Sequence, residues 1–354
     1  MKYVKLIVCM MMLSFMGMPA MAASEEGGKL NTSEIVVEHI KDSYAWHVTT
    51  VGDKAVVIDL PVIVRSSTGW HIFSTARFAE ESDVKGYRMG PDNLAIATQG
   101  DNAGKIVELQ NGVEVRPFDI SITKTVAVMM INVVVLLCCI LIPARWYRRH
   151  KASDPAPGGF TGFIELIIDY VEENIIKPGI GNGYEKYSPY LLTCFFFILT
   201  NNLMGIIPFP PGGGNVTGNI TITFFLALCT FIVTQVSGTK HYWKDIFWPE
   251  VPLPLKVFPL IPLIEFVSIF TKPFALMIRL FANMMAGHAI ALSLTCIIFV
   301  VAAIGGATFL GMSAISVVMS IFMMCLELLV CFIQAMVFTM LSSIFIGLAR
   351  AKAE

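Results

Sequence analysis

A single arginine, Arg279, lies inside the apolar stretch FALMIRLFANMMAGHAIALSLTCIIFVV, and no other feature restricts the fold of this chain so tightly. A guanidinium cannot shed its proton to enter an apolar phase. At mid-membrane depth its charge costs at least ~2.5–3.5 kcal/mol, even on lenient insertion scales. It therefore needs an aqueous path or an anionic partner. An arginine close to a helix end could instead snorkel to the headgroups, but here apolar residues continue well beyond it.

The rest of the chain agrees with a membrane setting. Of 354 residues, 55% are hydrophobic and only 14% charged, which is the composition of an integral membrane protein. Residues 24–120 carry 15 acidic side chains against 9 basic ones, and the remainder carries 11 against 16. An acidic soluble segment is thus joined to a membrane segment with basic flanks, and nucleic-acid binding has no support. All eight cysteines fall in apolar runs, none of them in residues 24–120, and no Cys/His metal spacing occurs. They read as small packing residues, so neither a disulfide framework, a metal nor a cofactor is expected.

The first residues read as a secretory signal peptide over 1–22, with an uncleaved anchor as the alternative, and either exports the segment that follows. Lys2 and Lys5 precede a short apolar run, and Ala20-Met21-Ala22 forms a cleavage site, with Ala23 an alternative end. Residues 23–120 then form an exported β-rich domain. Strand-like runs cover 56–64 and 69–73, separated by turn signals at Gly52-Asp53, Ser66-Ser67, Gly90-Pro91 and Asn111-Gly112. His47 and His71 stand beside Trp46 and Trp70 as lone histidines, and no catalytic constellation is visible there. The Asn31-Thr32-Ser33 sequon carries no information by itself.

Residues 121–354 form the membrane domain. The first span covers about 125–144 and ends in Arg145-Trp146-Tyr147-Arg148-Arg149-His150-Lys151, a basic, aromatic flank that marks the cytoplasmic side. Residues 163–172 have apolar and acidic positions at helical spacing. That suits an amphipathic helix on the membrane surface or, given its acids, one resting on protein. Further spans cover 190–207 and 220–237, and Lys240, Lys244, Arg350 and Lys352 place the later cytoplasmic ends.

The last two apolar segments, 257–303 and 312–348, are separated by Gly305-Gly306 and Gly311. As continuous helices they would measure ~70 Å and ~55 Å, against a hydrocarbon core of ~30 Å. They must be broken or strongly tilted. An antiparallel turn near residue 307 places Arg279 level with Gln334, and His288 level with Glu327. Asn283 follows Arg279 by one helical turn and shares its face, and Glu265 and Lys272 precede it near that face. A histidine–glutamate pair at low dielectric can hold and pass a proton, or it can serve as an ion pair locking two helices. Gln334 could bridge helices by hydrogen bonding, and Glu265 could face headgroups.

Lys272-Pro273 followed by Ile278-Arg279-Leu280-Phe281-Ala282-Asn283-Met284-Met285-Ala286-Gly287-His288 resembles the signature of subunit a of F-type ATP synthases. So do Asn202-Leu203-Met204-Gly205-Ile206-Ile207-Pro208, Asn219-Ile220-Thr221-Ile222-Thr223 and Gln334-Ala335-Met336-Val337-Phe338. The resemblance implies an all-α polytopic membrane protein of five transmembrane helices, whose strongly tilted C-terminal hairpin faces a ring of c-type proteolipid subunits. The exported β-rich domain is an addition to that core.

By the same resemblance, Arg279 meets the ring carboxylate and Asn283 and Gln334 flank it. His288 and Glu327 belong to an outer half-channel and Glu265 to an inner one. The implied partners are the c-ring, peripheral-stalk b subunits and membrane lipid, in a bacterial inner membrane. The implied role is proton conduction coupled to rotation, not catalysis by the chain itself, and no P-loop or other nucleotide motif is present. Two rival readings stay open on the residues alone. A secondary transporter would use Arg279 for an anionic substrate but should show duplicated halves, and a membrane scaffold has no need of two level polar pairs.

Overall fold

The computed structural model describes residues 42–351 apart from 52–53, 79–85, 111–112, 152–153, 208–213, 248–259 and 305–306. The signal-peptide segment, the sequon at Asn31 and the turn signals at Gly52, Asn111 and Gly305 lie outside the described residues. The chain divides into two compact units, one formed by residues 1–130 with 207–214 and the other by 131–206 with 215–354.

The first unit is β-rich. Strands β1 (Ala45–Val51) and β2 (Lys54–Asp59) pair antiparallel. Strands β3 (Pro61–Ser66), β4 (Gly69–Ser74) and β9 (Phe118–Asp119) form a second sheet in the order β4-β3-β9. Strands β5 (Tyr87–Met89), β6 (Leu94–Ala97), β7 (Ile106–Gln110) and β8 (Val113–Val115) form a third, antiparallel throughout.

The expected single strand over 56–64 is instead two strands in different sheets. Pro61 has no N–H to continue the ladder, and the carbonyl of Leu60 turns aside to accept from the backbone N–H and the hydroxyl of Thr75. On β3, Val62 and Val64 face inward and pack with Phe73, Phe78, Leu94 and Ile106. Period-two alternation leaves Ile63 and Arg65 on the opposite face. At the β5–β6 turn, Asp92 and Asn93 both take positive φ, 58° and 59°, a conformation that these two short polar side chains tolerate.

The second unit is helical, and the first of its helices begins in the other unit. Helices α1 (Lys124–Tyr147), α4 (Ser188–Ile206), α5 (Ile220–Ser237), α7 (Leu260–Ile304) and α8 (Ala307–Arg350) are each long and apolar enough to cross a membrane. Between them lie α2 (Gly159–Val171), a π-helical turn at Glu172–Ile176, α3 (Lys177–Ile180) and α6 (Lys240–Phe247). The amphipathic segment is therefore longer than its sequence pattern suggested. It rests on protein: Ile164, Val171, Ile175, Ile176 and Ile180 join one core with Leu191, Phe195, Leu280, Met284 and Phe338.

Helices α7 and α8 are unbroken over 45 and 44 residues. Gly311, expected in the turn, lies inside α8, which resumes at Ala307. One interior glycine costs only ~1 kcal/mol, too little to end a helix of this length. Pro273 likewise sits within α7 without ending it. The close crossing of α3 and α8 depends on small residues. A methyl group on Gly347 would collide with the Gly179 carbonyl oxygen, and one on Gly179 would collide with Ser343 Oγ.

Candidate functional site

Helix α7 has two contrasting faces. Ile269, Leu276, Met277, Leu280 and Met284 are buried at spacings of a helical stripe. Glu265, Arg279 and Asn283 lie on exposed surface instead. Among the described residues, Arg279 has no ion-pair or hydrogen-bond partner. A permanent cation thus stands uncompensated on an apolar helix, with Ile278 and Phe274 also exposed beside it. Seven residues back toward the helix start, Lys272 is half-buried with Nζ 5.9 Å from the Phe345 ring centre. It lines a cavity with Thr230, Thr234, Gln235 and Tyr242, where Gln235 Nε2 donates to Tyr242 Oη at 3.3 Å.

His288 and Glu327 meet across the hairpin. Nδ1 lies 3.5 Å from Oε1, and the side chains are 15% and 6% exposed. Their juxtaposition follows from register: α7 and α8 run antiparallel with two residues of sequence between their ends, and both residues project into the same layer. Glu327 packs beside Gly287, where an added methyl would meet the carboxylate in ordinary van der Waals contact at 3.8 Å. Apart from the long contact with His288, Oε1 is buried without a hydrogen-bond partner among the described residues, and so is Ser320 Oγ, two turns earlier on α8. Gln334 is buried too, only 6% exposed. It shares the inner face of α8 with Glu327 and Cys331, whereas Arg279 and Asn283 lie on exposed surface.

Three asparagines to which the sequence reading gave no role surround this layer. Asn215 Nδ2 donates to the Met284 carbonyl at 3.2 Å, one turn before His288. Asn202 Nδ2 reaches the Cys331 carbonyl at 3.4 Å, one turn after Glu327, while its Oδ1 accepts from Thr217 Oγ1 at 2.6 Å. Asn132 on α1 donates to Asn201 at 3.0 Å, while its own Oδ1 is buried with no partner among the described residues. The available signal was the cost of an amide in an apolar span: adjacent asparagines inside α4 require partners.

The β-rich unit holds a different arrangement. His71 Nδ1 contacts Asp92 Oδ2 at 2.9 Å, and Nε2 lies 2.9 Å from Ser66 Oγ and 2.8 Å from Thr68 Oγ1. Ser66 Oγ also accepts from the Thr68 backbone N–H. Every member is used in fixing the β3–β4 turn, so the serine is held as a strut and not presented as a nucleophile. Glu108, 5% exposed, receives the backbone N–H of Ser67 at 3.1 Å and the Ser67 hydroxyl. The side chain of His47 lies outside the described set.

Comparison with known proteins divides the chain along similar lines. A family described as "ATP synthase A chain" matches residues 126–347, and a "Domain of unknown function (DUF8433)" matches residues 35–120. The chain is similar to "ATP synthase subunit a 2" of Chlorobaculum tepidum, 44% identical over 246 residues, covering 68% of this chain and 66% of that protein. It is similar to "ATP synthase subunit a" of Chloroherpeton thalassium, 40% identical over 245 residues, covering 68% and 70%. "ATP synthase subunit a" of Myxococcus xanthus is 36% identical over 242 residues, covering 67% and 75%.

Proposed function

The chain belongs to the ATP synthase A chain family, a polytopic membrane subunit that is not itself catalytic, and on that premise we propose that it is the ion-translocating stator of a rotary F-type ATP synthase. The observation that carries this reading is Arg279: an exposed cation on an apolar helix, with no partner among the described residues. A carboxylate presented by a neighbouring subunit would complete it.

In this mechanism a proton enters near His288 and Glu327 and neutralises a carboxylate on a ring of proteolipid subunits. The neutral site can then turn through lipid, which a bare carboxylate could not do cheaply. It reaches an inner path near Glu265, gives up its proton, and is drawn to Arg279. The guanidinium stabilises the ionised site and separates the two paths, with Asn283 and Gln334 on either side. Each elementary charge moved contributes ~2.3 kcal/mol per 100 mV. Helices of 45 and 44 residues would span ~65 Å if upright, so the hairpin lies steeply tilted against the ring. Stalk b subunits hold the chain still.

The basic flanks place the C-terminus in the cytoplasm of a bacterial cell and the β-rich domain on the exported side, after removal of residues 1–22. That domain is accessory to conduction. Reporter fusions after residue 110 and at residue 354 should report opposite sides, and the same side for both would overturn this topology.

The central test is Arg279→Ala in the assembled complex. ATP-driven proton pumping and synthesis should be abolished while the chain still co-purifies with the proteolipid ring. Lysine should rescue poorly, because a compact ammonium lacks the planar fork of donors. Coupled synthesis at the unsubstituted level in Arg279→Ala would refute the assignment.

A further inference from the structure

One face of the β4-β3-β9 sheet is exposed and apolar, and the mechanism above does not use it. Pairing sets Arg65 opposite Trp70 on one side and opposite Phe118 on the other, and sets Ile63 opposite Ile72. Ile120 continues the pattern, its N–H donating to the Ile63 carbonyl at 3.0 Å. Trp70, Ile72, Phe118 and Ile120 are 56%, 73%, 63% and 53% exposed. The Trp70 and Phe118 rings meet edge to face at 6.5 Å, and the Arg65 guanidinium lies 5.9 Å from the Trp70 ring centre. A contiguous patch of this kind marks an interaction site.

We infer that this face rests on the headgroup layer of the bilayer, with phospholipid as its partner. The first argument is reach. Four residue steps separate Ile120 from Lys124, where α1 begins, a span of at most ~14 Å. The connection is also stiff. Ile122 N–H donates to the Pro61 carbonyl at 3.1 Å, Lys124 N–H to the Ser43 carbonyl at 2.8 Å, and Thr125 N–H to Asp42 Oδ1 at 3.0 Å. Helix α1 has 24 residues, ~36 Å of length against ~30 Å of hydrocarbon, so its first residue lies among the headgroups. The sheet is therefore tied within a few residues of the lipid surface.

The second argument is chemistry. Tryptophan is enriched at membrane interfaces, where an amphipathic ring finds both an apolar and a wet side. Arg65 supplies a donor fork for a phosphate, and the carboxylate of Asp119 belongs to the alternate side of β9, where it accepts from Tyr44. Residues 24–120 as a whole are acidic, so general attraction to anionic lipid cannot be the driving term. Burial of the aromatic and isoleucine side chains must supply it, which makes the contact insensitive to salt.

This inference depends on α1 crossing the membrane, and the test separates the two. A benzophenone amino acid is placed singly at Ile72, at Leu137 and at Asp101 of the full-length chain in native membranes fed an alkyne-bearing phospholipid precursor. Leu137 is an exposed residue midway along α1 and Asp101 an exposed turn residue of the β-rich unit. On irradiation, Ile72 should take lipid as Leu137 does, and Asp101 should not. The yield at Ile72 should be unchanged in molar salt. Lipid adducts at Leu137 but none at Ile72 overturn the surface contact alone, as does a protein adduct at Ile72, which would identify a partner subunit on this face. Absence of lipid adducts at Leu137 overturns the span and the surface contact together.

Discussion

Glu108 and Glu327 are buried to nearly the same extent, 5% and 7% exposed, in the two units of the chain. Their surroundings are opposite. Glu108 takes both the N–H and the hydroxyl of Ser67, and these donors hold its carboxyl below the ordinary range even though burial pulls the other way. Among the described residues Glu327 has only the 3.5 Å contact with His288, and its Oε1 is otherwise unpartnered. A carboxylate wrapped in donors is biased toward its charged form, since protonation displaces the donor at the oxygen that takes the proton and weakens the other bond. A carboxylate beside one histidine, with a single unpaired hydroxyl (Ser320) two turns away among the described residues, has no such network to dismantle. On the proposed function, depth of burial alone does not distinguish a strut from a carrier; the count of donors does.

The largest effect that bears on this contrast is expected at the pair. His288→Ala and Glu327→Gln should each lower passive proton conduction through the purified membrane sector by on the order of 10²-fold, the low end of what a placed proton-transfer group contributes. If, as proposed, both act on one path, the double variant should be no worse than the poorer single. Exchanging the two residues should recover more conduction than either single swap. Unchanged conduction with poor recovery of assembled complex would turn Glu327 into a strut as well, and the contrast with Glu108 would disappear.

A smaller effect, confined to the β-rich unit, is expected at Glu108. Replacement by glutamine keeps an acceptor but loses the charge-assisted part of the Ser67 bonds, a loss of about 1.5–3 kcal/mol. Amide exchange along the β3–β4 turn should quicken accordingly, with conduction unchanged. The pH dependence has a definite sign. The folded carboxyl sits below its ordinary value of about 4.3, so its contribution is complete above that value and fades as pH falls through the lower, folded value. Protection of the Ser67 amide should therefore be lost in acid, and in Glu108→Gln it should be weak but flat with pH. Protection that persisted well below the ordinary carboxylate range would show that Ser67 is held by something other than Glu108.

Much of the helical architecture could be read from the chain because an apolar run has one solution in a membrane, where every backbone group must be satisfied internally. The third span agrees to the residue at Ile220–Ser237. The level placement of His288 and Glu327 followed from nothing more than an antiparallel turn and a fixed rise per residue. The misjudged features depend on particular tertiary contacts. Pro61 divides one apolar run between two sheets, and the π turn at Glu172–Ile176 extends a helix because its isoleucines find a core. The partners of the asparagines are hidden in the sequence for a related reason. Periodicity identifies the face an amide occupies but not the carbonyl it will find, and Asn215 meets Met284 across 69 residues of sequence.

Asn215 gives the smallest expected effect and the finest test of the contrast. Its side chain bridges two elements, donating to the Met284 carbonyl and accepting the Gly218 N–H at 2.8 Å. In a helix the Met284 carbonyl also accepts the backbone N–H of His288, so Asn215 touches the turn that sets the height of the histidine. Removing a single neutral hydrogen bond costs about 0.5–1.5 kcal/mol, and α7 is long enough to keep its course. Asn215→Ala should therefore slow conduction only severalfold and leave the complex assembled. Its diagnostic value lies in coupling. If His288 and Glu327 exchange protons, a shift in their 3.5 Å separation matters, and Asn215→Ala should add nothing once His288→Ala has removed the pair. If the pair merely locks two helices, the two substitutions weaken independent contacts, and their effects on assembly should add.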